Sequence, residues 1–285
     1  MSSDAQLPIG VFDSGVGGLT VLRALVDRLP DEEMIYLGDT ARVPYGNRAA
    51  DTVRRYALNA THLLVERGIK ALVVACNTAS AYGLPALLKT YEVPVIGVID
   101  PVARRATRQS STGHIGVLGT RGTVRSDCYP DAVHQYESDV HVHQQPCPLL
   151  VPLAEEGWTD GEVVEEVARH YLSELRDQGI DTVILGCTHY PILRPVLQTV
   201  ANDVLEEDVS LLDSASATAA ALAERLRVDD LRRPEGRSNK KGEPSAKLEF
   251  LFTDVSPAFV ETTERFFGAH PEEPTHVDIT DIASK

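Results

Sequence analysis

Short apolar runs alternate with longer amphipathic segments along most of the chain, and this alternation restricts the fold more than any other feature. Runs of strand length are PIGVF (8–12), MIYLG (34–38), KALVVA (70–75), PVIGV (94–98), HIGVLG (114–119), DTVILG (181–186) and KLEFLF (247–252). Segments with helical periodicity lie at 19–29, 50–68, 161–179 and 217–227. Strands separated by helices form parallel sheets through crossover connections, so we predict an α/β fold.

A weak internal repeat predicts that this α/β chain contains two similar lobes. IGVFDS (9–14) resembles IGVLGT (115–120), and LVVACNT (72–78) resembles VILGCTH (183–189). The two pairs have nearly the same offset, which indicates a duplication rather than a chance likeness between strands. We therefore expect pseudo-symmetric lobes at 1–99 and 100–212, each a mostly parallel sheet flanked by helices, with an active site in the cleft between them.

Two of the four cysteines end apolar runs and are followed by polar residues, in ACNTAS and GCTHYP. In parallel sheets, ligands bind beyond the carboxyl ends of the strands, and Cys76 and Cys187 lie at such ends. A cysteine at the start of a helix is close to unpaired N–H groups and to the positive end of the helix dipole. We therefore expect pKa values below the ordinary value of about 8.5 for both thiols. The remaining cysteines, Cys128 and Cys147, are predicted to be core residues.

The turn DSGVGG (13–18) follows the first apolar run and supplies a second group of polar atoms. Its three glycines would let the backbone approach a ligand before a helix begins at Leu19. Asp13 could bind an ammonium group or assist a neighbouring thiol, and a helix cap by Asp13 or Ser14 is the alternative. The glycine spacing is that of neither a dinucleotide-binding fingerprint nor a P-loop.

Three further residues could take part in acid–base chemistry. Glu155 and Glu156 come before a predicted helix, where an acidic side chain ordinarily interacts favourably with the helix dipole. His189 follows Cys187 by two residues, near enough to tune that thiol or to donate a proton. The chain has no HExxH, GxSxG or CxxC motif, and none of its six lysines lies in a motif at a strand end. The sequence therefore predicts no metal and no cofactor such as pyridoxal phosphate.

Charge and composition restrict the partners and the compartment. The net charge of −15 argues against binding to nucleic acid or to an anionic membrane. No apolar run approaches the roughly 20 residues that span a bilayer, and the N-terminus has no secretory-signal pattern. Sparse, unpaired cysteines fit a reducing cytoplasm. The excess of acidic residues fits either a salt-adapted source or an acidic protein from a GC-rich genome.

The two cysteines at strand ends favour one kind of reaction. If the lobes face each other, Cys76 and Cys187 approach a shared cleft from opposite sides. Moving a proton from one face of a tetrahedral carbon to the other requires two acid–base groups on opposite faces, whereas a hydrolase requires one nucleophile and one base. A hydrolase that uses Cys76 with His189 and a two-lobed binding protein without catalysis are the alternatives.

Seven segments, taken in order, resemble the glutamate racemases of the aspartate/glutamate racemase superfamily: FDSGVGG, GDTARVPYG, ACNTAS, LGTRGTV, CPLLVPLAEEG, LGCTHYP and LLDSA. The resemblance extends from about residue 8 to residue 226. It implies a cofactor-independent interconversion of L- and D-glutamate that supplies D-glutamate for peptidoglycan in the cytoplasm, and it implies a homodimer. A racemase of aspartate or another acidic amino acid stays open, because the sequence does not show the depth of the side-chain pocket.

The resemblance also implies roles for individual residues. Cys76 and Cys187 correspond to the catalytic thiols, with Cys76 acting on the D-enantiomer and Cys187 on the L-enantiomer. The auxiliary ionisable groups would be Asp13, Glu155 and His189. The substrate would be held by Asp13, Ser14, Tyr45, Gly46, Asn77, Thr78, Thr188 and His189. Residues from about 213 to 285 would return to the first lobe, and within them the polar segment 229–247 departs from the family pattern, so we expect a flexible loop there.

Overall fold

The computed structural model describes residues 3–205, 208–234, 247–255, 259–269 and 274–281. Its strands are β1 (Ile9–Asp13), β2 (Met34–Gly38), β3 (Ala71–Val74), β4 (Val95–Gly97), β5 (His114–Gly119), β6 (His141–Pro146), β7 (Thr182–Gly186), β8 (Ser210–Asp213), β9 (Leu248–Phe252) and β10 (Thr275–His276). Its α-helices are α1 (Leu19–Arg28), α2 (Ala50–Glu66), α3 (Asn77–Thr90), α4 (Ile99–Gln109), α5 (Arg121–Arg125), α6 (Cys128–His134), α7 (Leu150–Glu155), α8 (Glu162–Ser173), α9 (Arg194–Val204), α10 (Ser214–Val228) and α11 (Phe259–Phe267).

These strands form two sheets, and the predicted α/β fold is confirmed. One sheet has the order β10-β9-β2-β1-β3-β4 and the other has the order β6-β5-β7-β8. All neighbouring strands in both sheets are parallel. The four strands β2-β1-β3-β4 follow the same order as β6-β5-β7-β8, so the repeat in the sequence corresponds to a repeat in topology. Parallel strands end at a common edge, which brings the residues after β1 and β3, and those after β5 and β7, close together.

The strands at the centre of each sheet are covered on both faces, as parallel sheets require. Every residue of β1, β2, β3 and β7 is buried. Strands β6 and β8, which form the two edges of the second sheet, were not predicted from the sequence. The β6 segment HVHQQP is half-buried and carries no apolar run. Edge strands of this kind have no pattern that distinguishes them from a polar loop.

The C-terminal segment extends the first sheet. Strand β9 pairs with β2 over Leu248–Phe252, and β10 pairs with β9. Helix α11 then packs against α1. The division into lobes at residues 99 and 100 stays a prediction. Most of the predicted flexible loop, residues 235–246, lies outside the described residues. Among the helices that are described, none is both long enough and apolar enough to cross a membrane.

Candidate active site

A cavity lies at the carboxyl ends of the strands. It is lined by residues from loops that follow strands of both sheets. Its volume, including the open mouth, is about 430 Å³. The lining residues are Ser14, Val43, Pro44, Tyr45, Gly46, Cys76, Asn77, Thr78, Thr120, Val151, Glu155, Cys187, Thr188 and His189. All the residues predicted from the sequence are therefore in this lining except Asp13, which lies behind it.

Cys76 caps the N-terminus of α3, as its place in the sequence predicted. The Ala79 N–H donates to Cys76 Sγ across 3.4 Å, and the Ser14 hydroxyl also interacts with this sulfur. The expected low pKa is wrong, however. Burial, followed by the negative charge of Asp13, raises the pKa of Cys76 to about 12 and outweighs both hydrogen bonds. Cys76 in the free protein is therefore a neutral thiol.

Asp13 is completely buried beneath the DSGVGG turn. Its Oδ2 accepts a hydrogen bond of 2.9 Å from the Gly15 N–H, and among the described residues its Oδ1 has no partner. Burial raises the pKa of Asp13, while the charge of His189 and the backbone N–H groups lower it. This carboxyl group interacts electrostatically with both Cys76 and His189. It therefore acts on the cavity from behind and does not line it.

A chain of three side chains supports the second cysteine. Cys187 Sγ lies 3.8 Å from His189 Nδ1, and His189 Nε2 lies 2.9 Å from Glu155 Oε1. Burial lowers the pKa of His189, but its hydrogen bonds and charge interactions with Cys187 and Glu155 raise it to about 10. His189 is therefore a buried imidazolium that places a positive charge and a proton donor beside Cys187.

Glu155 is the last residue of α7 and does not precede a helix as the sequence suggested. The next helix, α8, begins seven residues later, at Glu162. The interpretation that Glu155 interacts with the dipole at a helix start is therefore wrong. Its carboxylate accepts a hydrogen bond from His189 instead.

Polar groups that follow β3 and β5 line another part of the cavity. Asn77 Oδ1 accepts a hydrogen bond of 2.6 Å from the Tyr129 hydroxyl, and Asn77 Nδ2 is buried without a partner among the described residues. Thr78 Oγ1 lies 3.0 Å from Thr120 Oγ1 and 3.1 Å from Thr123 Oγ1. Buried donors without a protein partner are suited to an anionic ligand, because leaving them unpaired is costly.

The loop after β2 supplies a wall of the cavity through Tyr45 and Gly46. The Tyr45 hydroxyl donates to the Asp39 carboxylate, so the ring is fixed and its polar atom is already used. Gly46 lies directly against the side chain of Thr120. Tyr45 therefore shapes the cavity, and its hydroxyl oxygen can only accept a hydrogen bond from a ligand, because its proton is donated to Asp39.

The glycine-rich turn at residues 13–18 borders the cavity and also packs against residues on the opposite side of the site. A Cβ atom at Gly17 would lie 2.4 Å from Thr188 Oγ1 and 2.5 Å from the His189 ring. The Thr20 hydroxyl also donates to the Thr188 carbonyl across 3.0 Å. This position accepts only glycine, because the turn after β1 packs against the residues that follow Cys187.

Sequence reasoning missed several residues that complete the site, chiefly Thr120 and Tyr129. A signal for Thr120 was present, because the repeat aligns it with Ser14, and both line the cavity. No local pattern marks Tyr129, which reaches Asn77 from α6 in the other half of the chain. The described residues contain no cluster of three or more His, Cys, Asp or Glu side chains arranged for a metal ion.

Comparison with known proteins gives one consistent result. The sequence profile of the family described as Asp/Glu/Hydantoin racemase matches residues 9–222. The glutamate racemase of Geobacter metallireducens is 50% identical over 260 residues, which cover 91% of this chain and 92% of that protein. A glutamate racemase isoform from Bacillus anthracis has a TM-score of 0.89 at 37% identity, covering 96% of this chain and 98% of that one. A glutamate racemase from Francisella tularensis, solved with D-glutamate, has a TM-score of 0.87 at 32% identity with the same coverage.

Proposed function

The chain belongs to the Asp/Glu/hydantoin racemase family, and from this premise we propose that it interconverts L- and D-glutamate through Cys76 and Cys187 without a cofactor. Membership of this family makes the protein an isomerase of the racemase type, and the resemblance inferred from the sequence motifs is confirmed. One observation carries the proposed mechanism. Two cysteines from equivalent places in two similar sheets line the same cavity, and each has its own ionisable neighbour.

In the direction from L to D, the Cys187 thiolate removes the α-proton, so the C–H bond breaks and an S–H bond forms. The Cys76 thiol then donates its proton to the opposite face of the α-carbon, and Cys76 becomes the thiolate. The reverse direction exchanges these roles. A Cys76 thiol with a pKa of about 12 suits the resting proton donor, and the imidazolium of His189 suits the neighbour of a thiolate base.

The substrate carboxylate collects negative charge while the α-carbon has no proton. Asn77 Nδ2 is a buried donor without a protein partner among the described residues, and the Thr78 and Thr188 hydroxyls line the same cavity. We assign these three groups to the carboxylate. Fixed donors in a buried site stabilise such charge more strongly than water does. Ser14, which also lines the cavity, is assigned to the substrate ammonium group together with the carboxyl group of Asp13 behind it.

The test is incubation of L-glutamate with the purified protein in D₂O, with no cofactor added. Circular dichroism should decay to zero as D-glutamate forms, and deuterium should appear at the α-carbon. Cys76→Ser and Cys187→Ser should each abolish racemisation, because each removes one of the two acid–base groups. Folded wild-type protein that leaves the α-proton in place would refute the proposal, and near-normal turnover by either variant would refute the two-thiol mechanism.

The alternatives make different predictions in the same experiment. A racemase of aspartate would exchange the α-proton of aspartate faster than that of glutamate, and a hydrolase would release ammonia from amide substrates. The hydrolase interpretation required Cys76 with His189, but the His189 ring lies 3.8 Å from Cys187, the other cysteine. The geometry therefore favours proton transfer over a Cys76–His189 pair.

The biological setting is part of the proposal. We assign to the protein a cytoplasmic role in supplying D-glutamate for peptidoglycan, and we expect a homodimer. Expression in a bacterial strain that requires D-glutamate should restore growth, whereas the Cys76→Ser variant should not. Analytical ultracentrifugation should give a mass of twice 31.0 kDa, and a monomer at micromolar concentration would contradict the dimer.

A further inference from the structure

We infer that Arg265, on the C-terminal helix α11, is a positioning residue for proton transfer at Cys187, because it holds the end of α7 and thereby keeps Glu155 bonded to His189. This inference rests on the proposed function. Helix α11 follows a strand of the first sheet, whereas α7 follows a strand of the second.

The end of α7 has a well-defined capping geometry. Gly157 has a φ of +76° and stops the helix. The Gly157 N–H donates to the Ala154 carbonyl, and the Trp158 N–H donates to the Leu153 carbonyl, as in a Schellman motif. These bonds satisfy two of the last carbonyls of the helix. The next carbonyl along the chain, that of Glu155, accepts a hydrogen bond from the Arg265 guanidinium.

Arg265 is held in place for this contact. Its Nη2 lies 3.1 Å from Glu261 Oε1, one turn earlier on α11. A Cβ atom at Gly157 would lie 2.8 Å from the guanidinium carbon, so the glycine also makes room for the arginine. A cation at the C-terminus of a helix is favoured by the helix dipole as well as by the hydrogen bond. Arg265 therefore completes the cap of α7.

The neighbouring residue on α11 contacts the same part of the site. The Phe266 ring is buried and packs edge-on against the His189 imidazole, with 5.1 Å between ring centroids and an interplanar angle of 74°. Helix α11 thus contacts both members of the Glu155–His189 pair, one through the backbone and the other through the ring. Two adjacent residues of α11 therefore hold the Glu155–His189 pair through two separate contacts.

Glu155 needs such support because its side chain is 44% exposed. A glutamate with this exposure can leave its partner for water unless its backbone is fixed, and the energy of a single partly exposed ion pair is small. His189, in contrast, is buried and has little freedom to follow. The position of the Glu155 backbone therefore decides whether the 2.9 Å contact with His189 Nε2 persists.

The expected effect is confined to one side of the reaction. Glu155 and His189 line the Cys187 side of the cavity, whereas the neighbours of Cys76 are Asp13 and Ser14. Loosening the end of α7 should therefore slow proton transfer at Cys187 and leave transfer at Cys76 unchanged. A general loss of structure would slow both.

The experiment is a kinetic comparison of Arg265→Met with the wild type, using α-protonated and α-deuterated L- and D-glutamate. We expect kcat/KM to fall roughly tenfold, because a misplaced catalytic group costs about this much or more in rate. The fall should be equal in both directions, because the equilibrium constant between the enantiomers is one. The primary isotope effect should increase with L-glutamate, from which Cys187 takes the proton, and decrease with D-glutamate. Arg265→Lys, which keeps a cation near the carbonyl, should lose less.

Arg169→Met is the matched control, because Arg169 also joins two helices, here through an ion pair with Asp203, and both side chains are exposed. It should retain wild-type rates and isotope effects. Thermal melts should show that every variant is folded. Wild-type rates in Arg265→Met, or isotope effects that change alike for both enantiomers, would overturn the inference. A wild type that does not exchange the α-proton would instead overturn the proposed function.

Discussion

The alkylation rate of Cys76 should keep rising with pH beyond the point at which an ordinary cysteine reaches its maximum rate. The thiolate is the reactive form, and burial together with the charge of Asp13 raises the pKa of Cys76 from 9.0 to about 12. At pH 8 the thiolate fraction is then about one in ten thousand, whereas a thiol with the ordinary pKa has about one in ten. The ratio of about a thousand corresponds to ~4 kcal/mol against ionisation.

The assay is alkylation with iodoacetamide between about pH 7 and pH 10.5, with the Cys76 peptide quantified by mass spectrometry. In the folded protein the rate should increase tenfold per pH unit across the whole range. In urea the same peptide should reach a plateau near pH 9. Asp13→Asn removes one of the causes of the shift, so its rate at pH 8 should exceed that of the wild type.

A plateau near pH 9 in the folded protein would refute this reasoning, because it would show an ordinary thiol that is only sterically protected. A plateau below pH 8 would restore the interpretation that the helix N-terminus dominates. The same shift has a consequence for stability. Between pH 9 and pH 12 the unfolded chain loses the Cys76 proton and the native protein keeps it, so stability should fall as pH rises, by up to ~1.4 kcal/mol per unit.

Three other changes test separate parts of the site. Glu155→Gln removes the carboxylate that helps to raise the pKa of His189. The alkaline limb of the pH profile of kcat/KM should therefore move to lower pH by about one unit. An unchanged limb would contradict this role. Tyr129→Phe leaves the side-chain oxygen of Asn77 without its donor. The free energy of unfolding measured in urea should fall by about 1–3 kcal/mol, and KM should rise. An unaltered KM would show that Asn77 does not bind the substrate. Gly17→Ala would place a methyl group 2.5 Å from the His189 ring. Both the melting temperature and the activity should therefore fall. Wild-type values for both would show that the turn has room to move.

The central strands of both sheets could be predicted from the sequence, while the edge strands β6, β8 and β10 could not. Strands β1, β2, β3 and β7 are buried on both faces, and such strands are continuous apolar runs that stand out from their surroundings. Strand β8 has only four residues, Ser210–Asp213, and β6 is half-polar. The start of helix α3 was expected after Cys76, but its extent was not predicted, for another reason. It begins with the polar residues that drew attention as a site, and it contains a proline, Pro85.

Short-range signals were present for the end of α7, but they were assigned to the wrong element. The sequence AEEGW contains the glycine that stops this helix, and Gly157 indeed has a positive φ. Helix α7 has only six residues, Leu150–Glu155, and includes a proline, so no periodic pattern marked it. The contacts of Glu155 with His189 and of its carbonyl with Arg265 join segments 34 and 110 residues apart. Contacts of that kind depend on packing between elements, which local patterns do not encode.

The two cysteines occupy equivalent places in the two sheets, yet their ionisable neighbours differ in a way that the repeat itself explains. In the aligned segments the position of Asp13, the last residue of β1, is taken by Gly119, the last residue of β5, and the position of Thr78 is taken by His189. The carboxylate therefore serves Cys76, and the imidazolium serves Cys187.

Duplication accounts for the presence of two thiols, and divergence at these two positions accounts for their different ionisable neighbours. An equilibrium constant of one between enantiomers does not require the two sides of the enzyme to be alike, because the protein is itself chiral. Under the proposed mechanism, a free enzyme with a protonated Cys76 and a cation beside Cys187 is the form that accepts L-glutamate. The form that accepts D-glutamate carries the Cys76 thiolate, which burial and the charge of Asp13 disfavour. Binding of the substrate ammonium group near Asp13 would offset part of that cost, which is why Asp13 matters although it does not line the cavity.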